Sequence, residues 1–336
     1  MSGWTVRDAR PEDSAQLQAL FTDTFGYDRG AGHYQWNLEN PAGAPIVVVA
    51  EDAGRIVGQS ALWPHRFRVG DEVVMCVQSI DAMAHPDYRG QGMFTQLRKE
   101  AMRSAAERGV AMFVGFPIPQ HLPWFISMGW EHVGDASSSV RPLHPSQHPR
   151  VPPWAEPALD LAARLLPRGA QRGIETRAGR PTDDGMARLV QAGDRELSGY
   201  RMDKDAAYLA WRFDERAGRR YHWACAYRDE TLTAAAVWGV DAQHGHAFVA
   251  ELVGVDTHST RAALALAINQ AYAAGCPAIL AIGSVARLRP ILRRAGFLPR
   301  GGGLPIVTHQ LSTHPLPVDL HSDAAWSVFG ADLDTL

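Results

Sequence analysis

The 336-residue chain of 36.7 kDa is long enough for two ordinary domains, and 46% hydrophobic with 21% charged residues is globular composition. Lys and Arg number 33 against 36 Asp and Glu, a formal charge of −3. That balance argues against a protein built to coat nucleic acid and excludes a highly charged disordered chain. Cys76, Cys225 and Cys276 are widely spaced, with no paired or zinc-like spacing, so neither a disulfide framework nor a metal site is expected. No apolar run approaches ~18 residues, and Met1-Ser2-Gly3-Trp4 carries no signal-like apolar core. A cytoplasmic protein without a membrane span is expected.

In chain order, the elements repeat. Arg10-Pro11-Glu12-Asp13 precedes a helical pattern through Leu17, Leu20 and Phe21; Arg180-Pro181-Thr182-Asp183 precedes one through Met186, Leu189 and Val190, 170 residues later. Trp36 and Trp211 follow at an offset of 175. Each leads into a strand–turn–strand pattern, turning at Asp52-Ala53-Gly54 and around Arg228-Asp229-Glu230. A longer strand, a helix, another strand and an aromatic end come next in both halves. These are Ser79–Ala84, Met93–Glu107, Val110–Gly115 and Gly129-Trp130, then Phe248–Val255, Arg261–Ala274, Ala278–Ile282 and Gly296-Phe297. Matching aromatics in a duplicated unit read as packing residues, so Trp36 and Trp211 are assigned to the core.

Between the halves, Pro142, Pro145, Pro149, Pro152, Pro153, Pro157 and Pro167 mark a linker, with one short amphipathic helix through Leu159, Leu161, Leu165 and Leu166. Gly301-Gly302-Gly303-Leu304-Pro305 reads as a second connector, leading to a tail whose Trp326, Val328 and Phe329 pack back on a domain. The expected division is a first domain over 1–140, a Pro-rich linker over 141–172, a second domain over 173–310 and a tail over 311–336. The fold class expected is α/β (α+β), each domain a mixed, mostly antiparallel twisted sheet flanked by helices.

The segment richest in chemistry runs from Ile80 to Phe94. A strand stops at Pro86, and Gly90 and Gly92 open a helix whose Phe94, Leu97, Ala101 and Ala105 share one face. Glycines let successive N–H groups converge on an anion, and the helix N-terminus adds partial positive charge, an arrangement that suits a pyrophosphate. No Gly-Lys-Ser/Thr follows, so it is not a P-loop, and GxGxxG is not completed. A turn that merely connects strand to helix is the competing reading.

His85-Pro86-Asp87-Tyr88-Arg89-Gly90-Gln91-Gly92 resembles the Arg/Gln-x-x-Gly-x-Gly/Ala motif of the GNAT superfamily, the acyl-CoA-dependent N-acetyltransferases. The resemblance covers the whole first half, and the second half repeats the order of elements with Asp256-Thr257-His258-Ser259-Thr260 in place of the glycine turn. A tandem GNAT with a degenerate second copy is implied. The resemblance further implies that backbone N–H groups of Arg89, Gly90, Gln91, Gly92, Met93 and Phe94 hold the pyrophosphate of acetyl-CoA. It also implies that the strand residues Ala82, Met83 and Ala84 line the pantetheine and polarise the acyl carbonyl. An amine would attack the thioester directly. Three departures stand out: Phe94 fills the last, normally small, motif position; Phe116-Pro117-Ile118-Pro119 replaces an Asn; and the Tyr that commonly serves as general acid falls at Phe125, and at Leu292 in the second copy.

Asp81, inside an apolar strand, is a candidate catalytic carboxylate or a structural acid. His121, after the second strand, is a candidate base or acid, or a solvated loop residue. His33, Glu39 and His65 are further candidates on the acceptor side, each read singly as surface polarity. Asp332 and Asp334 are candidates in the tail, read as a solvated acidic end. His244-Gly245-His246 reads as turn residues, and Arg287, Arg289, Arg293 and Arg294 form a basic face that could meet a carrier protein. The function expected is acyl-CoA-dependent N-acylation of a small-molecule amine. The alternatives are an acyl carrier protein as donor or a non-catalytic binding module. Acceptor identity, acyl chain length and oligomeric state stay open.

Overall fold

The strands of the two halves join in one twisted sheet. The structure, a computed structural model, describes residues 3–28, 31–147, 152, 154–165, 173–195, 197, 199–215, 219–241, 244–311, 316–322 and 325–333. The first half runs β1 (Thr5–Asp8), α1 (Ser14–Phe25), α2 (Ala31–Leu38), β2 (Ile46–Asp52), β3 (Arg55–Val69), β4 (Glu72–Ala84), α3 (Met93–Glu107), β5 (Met112–Gly115), α4 (Leu122–Ser127) and β6 (Glu131–Pro142). The Pro-rich segment carries α5 (Glu156–Leu165). The second half runs β7 (Glu175–Ala178), α6 (Asp183–Gly193), β8 (Tyr200–Met202), α7 (Ala206–Arg212), β9 (Tyr221–Arg228), β10 (Thr231–Val240), β11 (Ala247–Gly254), α8 (Thr257–Ala273), β12 (Ala278–Gly283), α9 (Leu288–Arg294), β13 (Leu298–Gln310) and the tail strand β14 (Trp326–Ser327).

The sheet order is β1-β2-β3-β4-β5-β13-β6-β12-β11-β10-β9-β7. Among these neighbours only β4/β5 and β11/β12 are parallel, so the expected mixed, mostly antiparallel sheet flanked by helices is what forms. The repeated hairpins turn alike. Ala53 and Gly54 have φ of 47° and 82°, and Asp229 and Glu230 have 47° and 62°. Paired positive φ values give the backbone twist that matches right-twisted strands.

The two halves exchange strands. Val307–Gln310 of β13 pair with β5, while Ser137–Pro142 of β6 pair with β12. β13 and β6 also pair with each other, from Leu298↔Val140 to Thr308↔Glu131. The Gly301-Gly302-Gly303 run is therefore not a connector. It lies within β13, where the register slips between Arg300 and Leu304, and a Cβ on Gly303 would stand 2.6 Å from the Ala136 carbonyl oxygen. Linkers and close backbone approaches both favour bare backbone, and composition alone does not separate them.

Across the join, Trp36 of α2 and Trp211 of α7 stack with centroids 4.7 Å apart and planes 4° from parallel. Trp36 Nε1 donates to the Trp211 carbonyl at 2.6 Å and Trp211 Nε1 donates to the Trp36 carbonyl at 2.8 Å. Trp63 meets both rings edge-on. Each indole thus buries its area and satisfies its one donor in the same contact. Around this core, Arg66 pairs with Asp203 and Asp205, and Arg68 pairs with Asp203 at 2.9 Å.

His33 and His65, read as surface polarity, are both buried. His33 packs on Trp36, and His65 meets Trp63 edge-on. Burial, with the Arg212 guanidinium adding to it, pushes the His65 pKa down to about 3 from 6.5. The unfolded chain therefore takes up a proton below pH 6.5 that the native chain refuses until about pH 3. Stability falls as the pH drops through that window.

Trp211→Ala is expected to cost about 3–5 kcal/mol, with unfolding in urea remaining one transition, because the lost contact belongs to both halves. Separate transitions for the halves would refute a shared core. Between pH 7.5 and 5, the wild type is expected to lose about 2 kcal/mol more stability than His65→Gln. Parallel pH profiles in the two proteins would show that His65 titrates normally.

Candidate functional site

β4 and β5 run side by side only from Cys76↔Met112 to Gln78↔Val114. β4 then continues to Ala84, while β5 stops at Gly115, held on its other side by β13. The result is a cleft whose apex lies at Gln78 and Val114. Just beyond the apex, β4 bulges. Asp81 has φ 45°, the β3/β4 register shifts between Ala61↔Ile80 and Gln59↔Met83, and Gln59 Nε2 donates to the Asp81 carbonyl at 3.2 Å. A bulge next to a cleft re-aims the residues that follow it. Of these, Ala82 is exposed, Met83 is buried against Leu17, Leu20 and Phe21, and Ala84 packs toward α3.

Hydrogen bonds within the chain hold the turn from β4 into α3. His85 N–H donates to the Val57 carbonyl, Tyr88 Oη donates to Asp52 at 2.7 Å, and Arg55 meets His85 Nε2 at 3.0 Å. Arg89 Nε donates to the Ala84 carbonyl at 3.4 Å and Gln91 Nε2 to the Asp87 carbonyl at 3.2 Å. Gly90 and Gly92 take φ of 75° and 76°, which only glycine adopts without strain. Arg89, Gly90, Gln91 and Gly92 are all exposed. Gly92 supplies the N-cap without a side-chain bond, and Gln96 N–H to the Gly92 carbonyl opens the helix ladder. Among the described residues, no side chain caps the first turn of α3.

Phe94 does not crowd this turn. Its ring reaches Trp124 of α4, centroid to centroid 5.0 Å, and ties the start of α3 to the helix that follows β5. Phe125 packs edge-on against Trp130 at 5.0 Å. His121, exposed, stands in the short 3-10 turn before α4, on the β5 side of the cleft. Asp81 lies on the β4 side, so the cleft separates the two candidates.

One residue that sequence reading missed lies beneath the apex. Arg98 of α3 is buried, and its Nη1 donates to Ser79 Oγ at 2.7 Å. The guanidinium carbon lies over the rings of Trp130 at 4.9 Å, Phe113 at 5.3 Å and Phe125 at 5.9 Å. Burial pulls its pKa down to about 10. Among the described residues, no carboxylate lies within ion-pair distance, and Nε has no hydrogen-bond partner. The signal was periodicity. Arg98 is four residues after Phe94 and three before Ala101, inside the apolar stripe rather than opposite it.

The matching place in the second half is occupied by the chain itself at the helix start and between the strands. Asp256 caps α8, accepting from Ser259 N–H at 2.8 Å, so a carboxylate already occupies the helix start. β11 and β12 pair at Ala247↔Ile279 and Phe248↔Leu280, then separate, and the tail enters the gap. Gly283 bridges to Phe329, Ser284 N–H donates to the Val328 carbonyl at 2.9 Å, and a Cβ on Gly330 would overlap the Ala250 carbonyl. Asp332, read as part of a solvated acidic end, is buried there. It pairs with Lys204 at 2.9 Å, and Lys204 pairs with Glu251 at 2.5 Å. Burial lowers the Lys204 pKa, but the two carboxylates outweigh it and raise the ammonium above its ordinary value. Asp334 lies outside the described residues.

The remaining candidates fall elsewhere. Glu39 is exposed and accepts from Gln35 at 3.0 Å, and His244 meets Asp241 at 2.6 Å in the β10–β11 turn. Arg287 pairs with Asp194 at 3.2 Å, whereas Arg289, Arg293 and Arg294 are exposed. Among the described residues, no helix is long and apolar enough to cross a membrane.

Residues 5–133 match the family model described as an acetyltransferase (GNAT) domain. No curated protein matches the chain in sequence. Solved structures match its fold. A probable N-acyltransferase of Enterococcus faecalis superposes with TM-score 0.69 at 12% identity, over 92% of this chain and 73% of that one. N-myristoyltransferase of Saccharomyces cerevisiae, with bound myristoyl-CoA, gives 0.65 at 13% identity, over 92% and 83%. A tandem GNAT protein from the clavulanic acid biosynthesis pathway gives 0.63 at 14% identity, over 93% and 100%. Residues 5–133 thus carry the match to a GNAT acetyltransferase domain, and the two halves together have the fold of a tandem GNAT protein.

Proposed function

We propose that the protein is an acyl-CoA-dependent N-acyltransferase that moves an acetyl group from acetyl-CoA to the amine of a small molecule in the cytoplasm. The observation that carries this reading is the contrast between the halves. In the first, α3 presents an N-terminus without a side-chain cap behind Gly90 and Gly92, beside the divergence of β4 from β5. In the second, Asp256 and the tail fill both places. The residues of the first half suit a pyrophosphate, with the N–H groups from Arg89 to Phe94 as donors and no side chain in the way. The neighbour with bound myristoyl-CoA supports an acyl-CoA donor through its fold.

In this reading, Ala82, Met83 and Ala84 offer backbone groups along the unpaired edge of β4. An N–H placed there polarises the acyl carbonyl and stabilises the oxyanion as the amine adds. The protein supplies position and charge, and no covalent intermediate on the chain is needed. Asp81 and His121 are the proposed groups to take the amine proton, from either bank of the cleft.

Calorimetric titration with acetyl-CoA, desulfo-CoA and pantetheine tests the donor. Binding of both nucleotides and loss of affinity for pantetheine are expected. Silence with all three would shift the reading to a carrier-protein donor or a binding module. Gly92→Trp has room for its Cβ but strains the backbone at φ 76°, so it should fold with stability lowered by about 1–2 kcal/mol and lose acetyl-CoA affinity by about 100-fold or more. A folded variant with unchanged affinity would remove the turn from the site. Asp81→Asn should lower kcat by about 10²-fold or more with a small change in melting temperature. Wild-type kcat with a lowered Tm would make Asp81 a structural acid.

A further inference from the structure

Transfer of an acyl group leaves charge on sulfur, and the chain lacks the hydroxyl that its family places there, since Phe125 stands at that position. The apex of the cleft holds a different arrangement. Ser79 is the first β4 residue beyond the last paired position, Gln78, and Phe113 of β5 precedes that residue's partner, Val114. The Arg98 guanidinium reaches both, together with Trp130 and Phe125.

A buried guanidinium without a carboxylate costs several kcal/mol unless something offsets it. Three aromatic faces offset part of that cost. Its Nη1 is spent on Ser79 Oγ as donor, so the Ser79 hydroxyl proton is directed elsewhere. Ser79 is half-buried, unlike Arg98, and follows directly on the last β4–β5 pair, where the strands separate. The pair is a hydrogen-bond donor with a fixed positive charge behind it, an arrangement matched to an anion that forms at the apex.

We propose that Ser79 and Arg98 stabilise the departing thiolate: the Ser79 hydroxyl donates to the sulfur, and Arg98 is the positioning residue that supplies the charge. The inference rests on the first-half cleft being the acyl-CoA site. In the step, the amine lone pair forms the C–N bond, the C–S bond breaks, and its electron pair stays on sulfur as thiolate. The nitrogen proton passes to a base and then to water. The thiolate is held as an anion and takes a proton from water on release, so the step needs no general acid. Serine itself transfers no proton, since a hydroxyl is a far weaker acid than a thiol.

The test needs no acceptor. Free CoA is bound to the full chain across a range of pH, and its thiolate is followed by ultraviolet absorbance, with desulfo-CoA as the affinity reference. The wild type should lower the pKa of the bound thiol by about one unit or more relative to free CoA titrated in the same buffer. Arg98→Met and Ser79→Ala should return it to the value of free CoA while binding desulfo-CoA within about threefold of wild type. Arg98→Met is expected to fold, because removing a buried unpaired charge for an apolar side chain is neutral or stabilising, and Ser79→Ala tests the same point with the charge in place. An unlowered thiol in wild type, or a lowered one in both variants, would overturn the inference and leave the cofactor site standing. Failure to bind either CoA or desulfo-CoA would overturn the cofactor site and the inference together.

Discussion

Everything at the cleft depends on the strand exchange between β6 and β13. β5 is four residues long and shares three paired positions with β4. Left as an edge, so short a strand would have little to hold it in place. β13 supplies the second ladder, Val307↔Gly115 to Gln310↔Met112, and fixes β5 from the far side. With that support, β4 and β5 separate beyond Gln78 and Val114 while β5 stays paired on its far side, and only the β4 edge is left unpaired there. The cleft is thus the product of both halves, although every residue proposed to line it belongs to the first.

Duplication left two helix starts of opposite character. α3 begins at glycines whose backbone geometry leaves N–H groups directed outward, and α8 begins at Asp256, whose carboxylate satisfies them. The same electrostatic need, negative charge at a helix N-terminus, is met in one copy from within the chain. The second gap between parallel strands is likewise filled by the chain, through Phe329, Gly330 and the buried Asp332–Lys204–Glu251 cluster. In that copy the chain's own side chains and tail stand at the places corresponding to the glycine turn and the strand divergence of the first.

Much of this was legible in the sequence. The duplicated Arg-Pro-x-Asp starts, the matched turns and the Trp36/Trp211 pair marked the repeat, because local patterns survive duplication at fixed spacing. The glycine turn was legible because positive φ is a backbone demand with a residue signature. The strand exchange was not, since pairing between Thr308 and Val114 leaves no local trace and Gly301–Gly303 imitates a linker. Buried polar groups were also misread. His65 and Asp332 look solvated until the partners that enclose them, drawn from distant elements, are in place. Arg98 was hidden by its own charge, although its position in the apolar stripe of α3 marked it as interior.

The strand exchange also bears on how the protein is made. Thr308 pairs with Val114 about 190 residues earlier in the chain. At ribosomal speeds of roughly 5–20 residues per second, about 10–40 s separate the emergence of β5 from that of its partner. During that interval, the nascent first half presents an incomplete sheet with β5 as a bare edge, the kind of surface that pairs with the wrong chain. The cleft between β4 and β5 is finished only when translation is nearly over. Fragments ending in the linker would inherit the same unfinished edge, so selection acts on the two halves as a single folding unit.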